Sequence, residues 1–110
     1  MTEANSTPGG EVIEYEMGYG ADEFGNVLLG SFSGEKSPYR CETIATHHLR
    51  IIQVDTSNQL EIRVLEMPPR RLGLFILPVL QVRFYLQHID AESQSRFFAR
   101  FHQYFHKGGG

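Results

Sequence analysis

Five histidines, one cysteine and a set of arginines are the side chains in this 110-residue chain that can do chemistry. His102 and His106 stand four residues apart in a segment of helical period, a spacing at which two imidazoles can share a metal ion. The zinc-protease form of that pair places Glu directly after the first His, but here Gln103 follows, and no third ligand falls at a matching spacing. The two histidines therefore read as helix-end residues, where imidazole is favourable beside the last carbonyls, and no metal or other cofactor is expected. His47 and His48 are consecutive on a strand pattern, so their side chains point to opposite faces and do not form one site. Cys41, between Tyr39 and Thr43 on one strand face, reads as a small buried hydrophobe rather than a nucleophile. Gly18, Gly20 and Gly25 suggest a phosphate loop only if a helix follows to aim its N–H groups at the anion. The residues after them read as a strand, and Asp22 and Glu23 repel phosphate.

The arginines carry the other candidate chemistry. Residues 1–35 hold seven acids and no Lys or Arg, while residues 36–110 hold all ten cations against six acids. Such asymmetry marks either an acidic arm with a basic binding face, or acids and arginines that pack side by side. Arg96, Arg100 and Lys107 fall on one side of a C-terminal helical wheel, with Gln103 among them. Arg70 and Arg71 follow two prolines, and Arg83 interrupts an apolar strand pattern. These six residues are the candidate binding residues, for an acidic protein surface or for the phosphates of a nucleic acid.

Several elements must position these groups. Val12–Met17 alternates Ile13, Tyr15 and Met17 with Glu14 and Glu16, the period of a half-exposed strand. Residues 26–33 read as a second strand. Residues 39–54 are β-prone, with a bend or bulge at His47 and His48. Asp55, Thr56, Ser57 and Asn58 form the turn of a β-hairpin between 49–54 and 60–65. Residues 67–71 read as a loop, because consecutive prolines do not serve a central strand. Residues 72–77 are continuously apolar and so read as buried on both faces or as lying at a tight contact. Leu80, Val82, Phe84 and Leu86 then alternate with Gln81, Arg83, Tyr85 and Gln87.

After residue 88 the period changes. Phe97, Phe98, Phe101, Tyr104 and Phe105 form one helical stripe, with Asp90 as N-cap, Glu92 in the first turn and Gly108 as the terminating glycine. Strands first and a helix last predict an α+β domain over residues 11–110, after a flexible arm over 1–10. Its core is a curved antiparallel sheet of about five to seven strands, a partial barrel or roll capped by one C-terminal amphipathic helix.

The composition, 41% hydrophobic and 21% charged, excludes global disorder. One cysteine excludes an internal disulfide and a cysteine-rich zinc site. The polar start lacks the pattern of a secretory signal, and no apolar run reaches membrane-spanning length. These features predict a cytoplasmic protein with no membrane partner.

The run Leu77, Pro78, Val79, Leu80, Gln81, Val82, Arg83, Phe84, Tyr85 resembles a Leu-Pro-x-x-x-Val-Arg-x-Tyr pattern found in a small uncharacterised proteobacterial family of the YqiB type. The aromatic helix over 97–109 is similar to that family's C-terminal helix. The resemblance covers the C-terminal half. It implies a bacterial cytoplasmic setting and, the family having no established activity, no site residues. The functional expectation is a small non-enzymatic interaction module or accessory subunit that binds a protein. The alternatives are a nucleic-acid-associated protein using the basic helix edge, and a small-ligand domain with a pocket inside the sheet near Tyr15, Arg83 and Tyr85.

Overall fold

The computed structural model describes residues 11–105, in the order β1 (Val12–Met17), α1 (Ala21–Ser31), β2 (Tyr39–Ala45), β3 (His48–Gln53), β4 (Gln59–Leu72), β5 (Phe75–Tyr85) and α2 (Ala91–Tyr104). The proposed arm over 1–10, together with His106, Lys107 and Gly108, lies outside the described residues. The five strands form one antiparallel sheet in the order β1-β5-β4-β3-β2. The fold class is α+β as expected, with the strand number at the low end. The sheet is open, with β1 and β2 as its edges, and not a closed barrel.

Residues 26–33 are not a strand: Asn26 to Ser31 belong to α1. The apolar positions explain why. Phe24 and Leu28, with Ser31 one turn on, recur at helical spacing and are buried. Asp22 and Glu23 lie in the first turn, where the helix dipole favours acids. Gly20 is the N-cap and supplies no side-chain cap, while Gly25 and Gly30 lower helix propensity, so the start signals are weak. The sheet therefore has two helices on one face rather than one.

The core is built on that face. Leu80, Val82 and Phe84 of β5, Leu60, Ile62 and Val64 of β4, and Leu49 and Ile51 of β3 meet Phe24, Leu28 and Phe32 of the α1 region and Phe97, Phe101 and Phe105 of the α2 region. The rings pack edge-on or offset: Phe32 lies 4.8 Å from Phe97, Phe84 5.1 Å from Phe101, and Phe101 4.4 Å from Phe105. Asp90 caps α2 as expected, accepting a 2.8 Å bond from the Ser93 N–H. Its own N–H donates to Asn58 Oδ1, which ties the helix start to the β3–β4 turn. Tyr104, at the margin of the stripe, is exposed.

The His47 region is a tight reversal between two strands, with His47 at φ 63° and a register shift beside Ala45. The expected hairpin through residues 55–58 is present as β3–β4.

Two expectations fail together. Residues 67–71 are strand, not loop: β4 continues through Pro68 and Pro69 to Leu72 with a register shift between Met67 and Arg70. Residues 72–77 are not buried but form the tip of a projecting β4–β5 hairpin. The reason lies in the neighbours. β3 pairs with β4 only as far as Arg63, and β1 pairs with β5 only as far as Leu80. Beyond those points neither outer edge has a strand beside it, so Pro68, Pro69 and Pro78 cost no ladder bond.

Candidate functional site

The projecting hairpin, here called the arm, is closed by the pair Leu72 and Phe75 around Gly73 and Leu74. Gly73 has φ +61°, the left-handed conformation that a two-residue hairpin turn demands of its first central residue. The tip exposes apolar side chains on both faces, beside Arg70 on one and Arg71 on the other. Leu72 is 53% exposed, Leu74 100%, Phe75 71% and Ile76 57%, with Leu77 also open. Leu72, Phe75 and Leu77 share one face and Ile76 takes the other, so no single face of the arm is the polar one. Apolar surface left in solvent forgoes about 25 cal/mol per Å², so a contiguous run of this kind stands apart from the scattered exposed apolar residues of an ordinary surface.

Between Tyr19 and the base of the arm runs an open groove of about 440 Å³ lined by Tyr19, Glu66, Pro69, Ile76, Pro78 and Leu80. Arg71, on the arm, and Glu66, in the groove wall, are exposed, and neither makes an ion pair among the described residues.

The other candidate arginines are scattered and mostly engaged. Arg70 donates to Glu16 at 2.8 Å and Arg83 to Glu14 at 3.0 Å, both across the sheet to β1. Here acids of the N-terminal third neutralise cations of the C-terminal two-thirds directly. Arg96 reaches Glu92 one helical turn earlier, at 3.3 Å. Arg100 is directed inward: its Nε donates to the Ser31 carbonyl at 2.8 Å, and its guanidinium lies 5.6–5.7 Å from the Phe32, Tyr39 and Tyr104 ring centres. It places positive charge on the C-terminal end of α1, where the dipole favours it. Lys107 lies outside the described residues.

The uncovered face of the sheet carries a second polar cluster. Glu61 accepts from His48 Nε2 at 2.8 Å and from Arg50 at 3.1 Å, and Arg50 also lies 3.8 Å from Glu42. The His48 hydrogen bond, with Arg50 behind it, holds the Glu61 carboxyl below the usual glutamate range against partial burial. Beside it a shallow hollow of about 390 Å³ is lined by Gln59, Glu61, Arg63, Tyr85 and His88, with the Arg63 guanidinium 5.7 Å from the Tyr85 ring centre.

The remaining chemistry-bearing residues are placed as follows. Cys41 is half-buried on β2, and burial together with Glu42 pushes its thiol up to about 11, so it is protonated at neutral pH. His102 lies 3.1 Å from the Tyr15 hydroxyl, among Phe98 and Phe101. Tyr15 packs on Phe84 on the helix-covered face, whereas Arg83 and Tyr85 lie on the uncovered one, so the three do not line a common interior pocket. The glycines at 18 and 20 do precede a helix, contrary to the strand expected there, but Asp22 and Glu23 occupy its first turn.

The arm lies where a loop and a buried run are expected from the sequence; its local signal is Leu72, Gly73, Leu74 and Phe75, a glycine at hairpin spacing between apolar residues, flanked by prolines. No protein-family model, no curated protein and no solved structure matches this chain.

Proposed function

We propose that this chain is a non-enzymatic interaction module, a protein-binding domain or accessory subunit, that docks through the β4–β5 arm. The observation that carries the reading is the two-sided apolar tip over 72–77, held away from the core on a paired and therefore stiff hairpin. The prolines add to it. Pro68 and Pro69 on one edge and Pro78 on the other remove backbone donors, which blunts edge-to-edge strand addition. Recognition is then left to side chains, which are specific in shape. A cytoplasmic setting belongs to the same reading: there is a single thiol, and no helix of the described residues is long and apolar enough to cross a membrane.

The nucleic-acid alternative requires Arg96 and Arg100 to be open to phosphates. Arg96 sits beside Glu92, and Arg100 is enclosed by three rings, so the arm is the better-supported surface.

The test is photo-crosslinking from position 77, with a photoreactive phenylalanine analogue in place of Leu77, in the native cell extract. One discrete protein adduct, lost when Leu74→Asp and Phe75→Asp are added, is the expected result. Diffuse labelling that is insensitive to those changes would remove the reading.

A further inference from the structure

Resting on the reading of the arm as a docking element, we infer that its partner is a second copy of this chain, joined by reciprocal exchange of arms about a two-fold axis. A tip that is apolar on both faces is not satisfied by a flat partner, which covers one face only. It needs a concave, largely apolar receiver. The chain carries such a receiver itself, in the groove of Tyr19, Pro69, Ile76, Pro78 and Leu80 at the base of its own arm. That groove has room for two or three side chains of leucine size, and of the chain's own tip only Ile76 lines it.

Arm and groove are continuous, because Ile76 belongs to both. Two arms laid antiparallel therefore bring each tip to the base of the other in one operation. Both knobs and both grooves are used, so the contact closes as a dimer instead of propagating into a filament.

The charges fit the same arrangement. Arg71 lies towards the tip and Glu66 at the base, and each lacks an ion-pair partner within the described residues. The two-fold sets Arg71 of each copy against Glu66 of the other. The area is at the low end of what a specific interface needs. Residues 72–77 expose about 600 Å² of mostly apolar surface, so two arms packed on each other would remove at most roughly 1,200 Å² from water, above the size of incidental contacts.

The experiment is sedimentation velocity on the full chain from about 1 to 200 μM, a span chosen to bracket a micromolar dissociation constant. Wild type is expected to show a concentration-dependent species of twice the chain mass. Leu74→Asp/Phe75→Asp is expected to be monomeric throughout. Arg71→Glu and Glu66→Arg should each weaken the dimer at least about tenfold, since each sets like charges together. The double reversal Arg71→Glu/Glu66→Arg should restore it.

Far-ultraviolet circular dichroism checks that each variant is folded, and the substituted residues are exposed. A monomeric wild type overturns the inference, as does a dimer indifferent to the arm or one that the double reversal fails to rescue. Arm-dependent binding of the monomer to phosphatidylserine–phosphatidylcholine vesicles overturns it in favour of a lipid surface. A monomer that still crosslinks to a foreign protein from position 77 overturns the inference and leaves the proposed function standing. A monomer with no discrete adduct ends both.

Discussion

Replacing Arg100 separates a structural arginine from a ligand-binding one. Its guanidinium makes a charge-assisted bond to the Ser31 carbonyl and lies near three aromatic rings, joining α2 to the end of α1. A hydrogen bond to a charged group contributes about 1.5–3 kcal/mol, and each cation–π contact roughly 0.5–1 kcal/mol at a partly exposed site. These contributions share one group and do not add in full, so Arg100→Ala is expected to cost about 2–3 kcal/mol. With a urea slope near 1.5 kcal/mol per M, the unfolding midpoint should fall by about 1.3–2 M. Arg100→Met keeps the aliphatic stem among the rings but removes the charge and the donor. It should show most of the same loss, because the Ser31 carbonyl is left without its donor. A midpoint for Arg100→Ala within about 0.3 M of wild type would refute the reasoning and return Arg100 to the pool of residues available to a ligand.

Three further outcomes are expected. Phe101→Ala removes a fully buried ring in contact with Phe84, Phe97 and Phe105, so a loss of about 3–5 kcal/mol should appear in denaturant unfolding; a loss below about 1 kcal/mol would contradict the described core. The Glu61 carboxyl is held below its ordinary value of 4.5, so the stability it contributes is complete above that pH and is lost as pH falls through the folded-state value. Glu61→Gln should therefore lower the melting temperature at neutral pH and lower it by progressively less as the pH is taken down from 4.5, and an equal decrease throughout would exclude the linkage. With its thiol pushed up to about 11, Cys41 should react with iodoacetamide at pH 8 on the order of a hundredfold more slowly than free cysteine. Labelling at the free-cysteine rate in the folded protein would refute that placement.

What could be read from the sequence follows the physics of each segment. Helix α2 was legible because stripe and N-cap agree, and the β3–β4 hairpin because its turn residues sit between two alternating runs. Helix α1 was obscured by Gly25 and Gly30 and by a start with no capping side chain. Residues 72–77 are continuously apolar yet exposed, because the hairpin they close runs past both neighbouring strands, a non-local fact that the apolar run does not encode. The pairing of Glu14 with Arg83 and of Glu16 with Arg70 could not be read at all. It depends on β1 lying beside β5, a non-local register that no local pattern encodes. Arg70 and Arg71 lie on the same hairpin as the apolar tip, whose exposed surface is made by Leu72, Leu74, Phe75 and Ile76.

The strand order has a consequence for how the chain matures. β1 and β2 follow one another in sequence yet occupy opposite edges of the sheet, and β1 finds its neighbour only in β5, with Val12 beside Tyr85. The β2–β5 meander can assemble hairpin by hairpin as it is synthesised. β1 and α1 cannot, because their receiving surfaces, Phe84 and Phe101 among them, emerge last. At about 5–20 residues per second, the apolar side chains Phe24, Leu28 and Phe32 stay uncovered on the nascent chain for about 4–15 s, until Phe101 is made. The most vulnerable stretch during biosynthesis is thus the one made before the meander, and sheet closure waits for β5 and α2.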